Sequence, residues 1–450
     1  MIFKRNIQRY LVEWKEDSNR KPLVIRGARQ VGKTTVINEF ARSFKHYISL
    51  NLEKPNNRIF FENIDDVKSL VETLFLAHNI SIDEANETIL FIDEIQESPA
   101  AIRLLRYFYE DYPQLYIIAA GSLLEFAIKK VPSFPVGRIE YMYLHPLNFF
   151  EYLEAIGHNA ALDRLSEIPV KPFAHNILLD LFNTYAIIGG MPEVIKIFTM
   201  KDSFTYLPKI YESIWSTYKN DVEKYTENAT ERNVIKHIMA TAHLYLDKRI
   251  KFQNFGNSNY RSREVKEAML KLNDARIIQL IYPTTDIEVP VKPDIKKSPR
   301  LQFLDTGLIN YALGIQADMI GMSDLSQAFK GAVIPHLVTQ ELMSLETVRD
   351  VKPYFWVREK SQSSSEVDLI YVYKNMVIPI EIKSGATGSL KSLHQFVERA
   401  GHPYAIRIYG GEFSIEKTGT PGGVPYILMN MPYYLGTMIP AYIEYFVNNY

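Results

Sequence analysis

The 450-residue sequence has no cysteine at all. That excludes disulfides, thiolate zinc sites and cysteine nucleophiles, and it fits a reducing compartment. Net charge is also missing: 51 Lys and Arg face 52 Asp and Glu, so the whole chain is no polycation. Any grip on nucleic acid must then come from a local patch. No internal repeat is visible. The first twenty residues are charged and lack a central apolar run, which argues against a signal peptide, and the chain is read as cytoplasmic. Residues 426–446 carry a single charge, Glu444, but Asn430, Pro432, Gly436 and Pro440 interrupt them. This predicts a buried strand and helix on the body of the protein rather than a membrane span.

What remains is an ordinary globular composition, with 47% hydrophobic and 23% charged residues, which sets aside disordered and fibrous classes. The length exceeds one compact core and predicts about two to four domains.

Residues 27–35 read GARQVGKTT. They follow an apolar run, residues 22–25, and precede helical spacing at 36–40, the strand–loop–helix setting of a phosphate-binding loop. Gly27 and Gly32 let the backbone wrap closely, so that N–H groups from Gly27, Ala28, Arg29, Gln30, Val31, Gly32, Lys33, Thr34 and Thr35 can face phosphate oxygens. The helix N-terminus adds partial positive charge. Lys33 supplies a point charge for the β and γ phosphates, and the Thr34 hydroxyl can ligate magnesium. ATP and Mg2+ are the cofactors implied.

Residues 88–92, TILFI, form a buried-strand run that ends in Asp93 and Glu94. An acidic pair at the C-terminal end of such a strand suits a Walker B element, with Asp93 for magnesium and Glu94 to polarise the attacking water. A third strand, residues 115–120, ends in Gly121 and Ser122. Ser122 is the candidate sensor of the γ-phosphate; a helix N-cap is the plainer role, and the two are compatible. Arg138, in the segment PVGR before another apolar strand, can reach a neighbouring subunit's nucleotide as an arginine finger or serve as an ordinary solvated arginine. A finger implies a homo-oligomer.

With RGARQVGKTT, FIDEIQ, the Gly121–Ser122 turn, VGR and LHPLNFFEY in hand, the chain resembles the AAA-type P-loop ATPases of bacteria and archaea that carry a DUF4143 region. GGMPE at 189–193, WVRE and EIKSG extend the resemblance over most of the chain. One departure is Ala120, where relatives often have threonine; the sensor assignment rests on Ser122. The expected fold is multidomain α/β: a P-loop ATPase with a parallel sheet and helices on both faces at 1–155, a helical lid or linker at 156–230, a winged helix at 231–325 and a PD-(D/E)XK nuclease-like domain with a tail at 326–450.

Helical spacing at 233–242 and 262–272, with candidate strands at 277–281 and 301–304, outlines the winged helix. Arg261, Arg263 and Lys266 sit where a recognition helix reads a groove, and Lys296, Lys297 and Arg300 fall near the wing. Glu264 and Glu267 interleave with these bases, and salt pairs on a solvated face have the same pattern. Gly189, Gly190 and Pro192 make a turn that can be a hinge or a tight structural corner.

In the last third, residues 365–373 and 376–383 alternate as two strands about a turn at Lys374 and Asn375. Period two places Glu381 and Lys383 on one face, and the hairpin can bring Asp368 beside Glu381. Two carboxylates can hold magnesium while the lysine neutralises charge on a scissile phosphate, with Glu341 as a further carboxylate and Gln395 as an accessory residue. A metal-dependent endonuclease is one outcome; an inert fold that only binds is the other. Duplex DNA, or a protein docked on the winged helix, are the partners implied, and no membrane.

Overall fold

The computed structural model describes residues 2–62, 66–122, 124, 137–226, 228–322, 325–358, 365–383 and 390–450. They form two compact units. One comprises residues 1–145 with 274–276 and 346–350, the other residues 146–273, 277–345 and 351–450.

The first unit is built on five parallel strands: β1 (Leu23–Arg26), β2 (His46–Asn51), β3 (Thr88–Asp93), β4 (Tyr116–Gly121) and β5 (Glu140–Tyr143). Their order is β2-β3-β4-β1-β5. A parallel strand inside a sheet is covered on both faces, which explains why β3 is apolar from Ile89 to Ile92 with every residue of the strand buried. Helices Val67–Ala77 and Pro99–Asp111 pack Leu70, Val71, Leu74, Ile102, Leu105 and Phe108 into a core with Val24, Leu50, Ile92 and Ile117. The helix α1 (Lys33–Ala41) leaves the end of the glycine loop and packs on β3 and β4. Because β4 lies between β1 and β3, the C-terminal ends of these three strands stand side by side, the place where open α/β sheets bind ligands.

The second unit holds residues 146–155 of the predicted ATPase segment and the segments predicted at 156–230, 231–325 and 326–450, apart from 274–276 and 346–350. Its helices include Phe149–Ala155, His175–Ile188, Ala229–Thr241 and Ser262–Asp274. Strands β6 (Ile278–Ile281) and β8 (Arg300–Phe303) pair antiparallel, Ile278 opposite Phe303. A seven-stranded mixed sheet runs β13-β14-β12-β11-β10-β9-β7, with β7 Pro283–Thr284, β9 Tyr354–Val357, β10 Glu366–Tyr373, β11 Met376–Ile382, β12 Tyr404–Tyr409, β13 Ser414–Gly419 and β14 Pro425–Pro432. The β10–β11 hairpin pairs Tyr373 with Met376 across a turn in which Lys374 takes a φ of 54°. The apolar tail forms β14, inside this sheet, and the helix Ile439–Asn449, whose Ile439, Tyr442, Ile443 and Phe446 are buried. Among the described residues, no helix is long and apolar enough to cross a membrane.

The Gly189–Gly190 turn is a tight corner. Gly189 has a φ of 73°. Gly190 N–H donates to Asp305 Oδ2 at 2.6 Å, and its carbonyl accepts from Leu147 N–H at 2.7 Å. A Cβ on Gly190 would collide with the Leu147 carbonyl. A hinge needs freedom that this corner does not have.

Candidate functional site

The glycine loop bends through Gln30, at a φ of 62°, and Gly32, at 99°, into the first turn of α1. Gly32 is a residue for which that left-handed backbone carries no steric cost. Gly27 is glycine for another reason: a Cβ there would collide with the Leu144 carbonyl just past β5. Lys33 is 8% exposed, and its Nζ donates to the Gly27 and Ala28 carbonyls at 2.9 and 2.8 Å. Burial pulls its ammonium down to about 8, against the raising effect of the Glu94 and Asp93 charges. Arg29 pairs with Glu53 at 3.0 Å, Ala28 and Val31 are buried, and Thr34 and Thr35 are exposed. Sequence reasoning missed Arg5. This buried arginine donates to the Val31 carbonyl at 3.0 Å and to the His145 carbonyl at 2.5 Å, tying the loop to the segment after β5. A lone arginine before the first helix carries no signal of such a clamp.

Thr34 Oγ1 donates to Asp93 Oδ2 at 2.9 Å. Burial raises the Asp93 carboxyl above its usual range, and the Thr34 hydroxyl works against that shift. A hydroxyl and a carboxylate this close, at the end of the glycine loop, are the hard oxygen donors that magnesium takes beside phosphates. The residues therefore fit the ion. Glu94 follows with a φ of 51°, and its N–H donates to Asp93 Oδ1 at 3.1 Å. Its carboxylate accepts from Gln96 Nε2 at 2.6 Å. Ser122 is buried, and its hydroxyl has no hydrogen-bond partner among the described residues. The helix expected after it, and Pro135 and Val136 of the PVGR segment, lie outside the described residues. Arg138 is described: its side chain is 39% exposed and ion-paired with Glu110.

In the second unit the hairpin brings Asp368 and Glu381 onto neighbouring strands. The Ile382 N–H donates to Asp368 Oδ2 at 2.9 Å, and Lys383 Nζ lies 2.6 Å from Glu381 Oε1. Glu381 is 3% exposed, and burial followed by the Asp368 charge raises its carboxyl well above the usual range. Gln395 accepts from Arg358 Nη1 at 3.2 Å.

Two expectations are corrected here. Arg300, counted with Lys296 and Lys297 as a base near the wing, turns inward. Its Nη1 lies 3.1 Å from Asp247 Oδ1 and its Nη2 3.4 Å from Asp368 Oδ1, and it also pairs with Glu366. Burial works to lower its pKa, but the Asp247, Glu366 and Asp368 carboxylates prevail and hold it above the ordinary arginine value. Glu341 does not join Asp368 and Glu381 as a metal ligand. It is fully buried in the helix Val333–Ser344, where both its oxygens accept from the Phe149 N–H, at 3.2 and 3.0 Å, and Oε1 also from the Tyr185 hydroxyl at 2.6 Å. Its carboxylate serves the first turn of the helix Phe149–Ala155. Among the described residues, no group of three or more His, Asp or Glu is arranged to hold a metal ion. The Arg300 guanidinium supplies a cation beside Asp368, and the Lys383 ammonium one beside Glu381. Ser384 and Gly385, the exit of the strand, lie outside the described residues.

Of the expected groove-reading bases, Arg261, Arg263 and Lys266 are exposed at the start of the helix Ser262–Asp274, and Arg263 pairs with Glu267 at 2.7 Å. Lys296 is exposed, and Lys297 lies 3.9 Å from Asp294.

Family models match three segments: an AAA domain (AAA_14) at residues 19–153, a domain of unknown function (DUF8612) at 179–319 and a second one (DUF4143) at 330–429. No curated protein matches the chain. Among solved structures, it is similar to the Walker-type ATPase of Pyrococcus abyssi, at 15% identity and a TM-score of 0.45, over 69% of this chain and 96% of that one. It is also similar to a signal transduction ATPase with numerous domains and a tetratricopeptide repeat sensor, from Pyrococcus horikoshii. There the identity is 13% and the TM-score 0.26, over 74% of this chain and 47% of that one.

Proposed function

We propose that this chain, an AAA-type ATPase joined to a DUF4143 domain, is a magnesium-dependent ATP-hydrolysing switch or motor that acts on nucleic acid. The observation that carries the ATPase reading is the 2.9 Å bond between Thr34 and Asp93 beside the buried Lys33. Lys33 exchanges its two carbonyl partners for phosphate oxygens, the loop N–H groups orient the nucleotide, and Glu94 takes a proton from the attacking water. Magnesium, held by Thr34 and Asp93, would neutralise phosphate charge. Ser122 reads the γ-phosphate. Arg138 leaves Glu110 to reach the nucleotide of another copy, which makes the working form a homo-oligomer.

The nucleic-acid part of the reading rests on the exposed Arg261, Arg263 and Lys266 at the start of a helix that precedes the paired strands β6 and β8 in the chain, a winged-helix outline. The Asp368–Glu381–Lys383 hairpin belongs to a nuclease-like fold that binds without cutting, because Arg300 already neutralises it. A second reading is a nucleotide-controlled switch that docks a protein. The pairing of Arg263 with Glu267 and the near-zero net charge favour it.

Steady-state ATP hydrolysis with and without duplex DNA separates them, with Lys33→Ala as the blank. A rate that vanishes in the blank and rises several-fold with DNA supports the first reading. A rate indifferent to DNA supports the second, and hydrolysis that survives in the blank sinks both.

A further inference from the structure

We propose that Gln96 positions Glu94 for hydrolysis and links it to the turn at Gly121 and Ser122. The inference rests on the reading of Glu94 as the group that polarises water.

Glu94 occupies the left-handed region, with φ 51° and ψ 47°, which a non-glycine residue seldom adopts. Its backbone is fixed there from both sides: its N–H donates to Asp93 Oδ1 at 3.1 Å, and its carbonyl accepts from Glu97 N–H at 3.0 Å. Such strain persists only where neighbours over-determine it, and it sets the direction in which the side chain leaves β3. The carboxylate is fixed separately. Gln96 Nε2 donates to Oε2 at 2.6 Å, and no described residue donates to Oε1. A carboxylate held by one oxygen presents the other in a constant direction, which is what a general base needs.

The far side of the same amide faces the sensor turn. Gln96 Oε1 is buried with no hydrogen-bond partner among the described residues, and it lies so close to Gly121 that a Cβ there would collide with it. The next residue, Ser122, also has a buried hydroxyl without a partner among the described residues. Unsatisfied buried polar groups are rare in folded proteins, and two at one turn ask for a reason. A phosphate oxygen arriving at Ser122 satisfies one of them. Any shift of the turn then passes to Gln96 by direct contact, and through its amide to Glu94. A side chain at Gly121 would push the Gln96 amide out of this position.

The test is a double-variant cycle on the full chain, with kcat, KM for ATP and the affinity for magnesium–ADP read for each variant. Gln96→Ala lowers kcat by about tenfold or more while KM and ADP affinity stay within about twofold. Gln96→Met, of similar volume, does the same, so that a folding defect in one variant leaves the other to decide. Glu94→Gln lowers kcat further, and adding Gln96→Ala to it costs nothing more, because the positioned group is already gone. A residue that only supports the fold would lower the double variant again. Gln96→Ala and Gln96→Met with wild-type kcat, or losses that multiply in the double variant, overturn the proposal. Wild-type kcat in Glu94→Gln instead overturns the underlying reading of Glu94.

Discussion

The Thr34 hydroxyl and the Asp93 carboxylate sit 2.9 Å apart, although the two residues come from different elements. The bond joins the first turn of α1 to the end of β3. Thr34→Val should therefore lower magnesium-dependent ATP hydrolysis on the order of 100-fold, and Thr34→Ser should restore most of it. Nucleotide binding measured in EDTA should change little. Equal losses with and without magnesium would refute the role given to this pair.

Arg300 is surrounded by Asp247, Glu366 and Asp368, and truncating one partner of a buried ionic cluster strands the others. Arg300→Met should destabilise the protein by about 3–5 kcal/mol, read by urea denaturation. Asp247→Asn, which leaves the arginine two partners, should cost less. A change below about 1 kcal/mol in Arg300→Met would mean that the carboxylates are not ionised around it.

His336 is buried, and its Nε2 accepts from the Phe303 N–H at 3.0 Å. Nδ1 then carries the proton, 3.0 Å from Thr306 Oγ1. Burial lowers its pKa from 6.5 to about 3. The folded state thus keeps the ring neutral while the unfolded chain protonates it below about 6.5. The stability it contributes is present above that pH and is lost as pH falls towards about 3. Melting of the wild type against His336→Gln should show the wild type losing its advantage across that window. Parallel curves would refute it.

Gly190→Ala should destabilise by about 2–3 kcal/mol, since the added Cβ meets the Leu147 carbonyl and neither backbone can move while Leu147 N–H is bonded to Gly190. Calorimetric melting reads it directly. A wild-type melt would restore the hinge reading of this turn.

Local signals carried much of the architecture. GARQVGKTT and the strand ending at Asp93 announce their own geometry, because a phosphate loop is defined by residues next to one another in the chain. The β10–β11 hairpin is legible for the same reason: period two and a two-residue turn determine its register. Its surroundings are not. Alternation says which face Glu381 occupies, but not that Arg300, far away in sequence, fills the space beside Asp368. Glu341 was misread because a buried carboxylate looks the same in sequence whether it meets a metal or the bare N–H of a helix start. Arg5 left no trace, and Gln96 stands in the FIDEIQ motif without showing its role, because their partners are backbone carbonyls and a neighbouring acid, contacts that any arginine or glutamine can make.

The seat of Arg300 bears on how the second unit meets ionic strength. Salt screens exposed charges beyond about 8–10 Å, so contacts made by Arg261, Arg263 or Lys266 with a polyanion fade as salt rises. The Arg300 side chain is only 15% exposed, so salt screens its pairs less than those at the surface. A high-salt wash should then strip a bound polyanion from the chain while β8 stays fastened to β10, so that release and refolding of the unit are separate events.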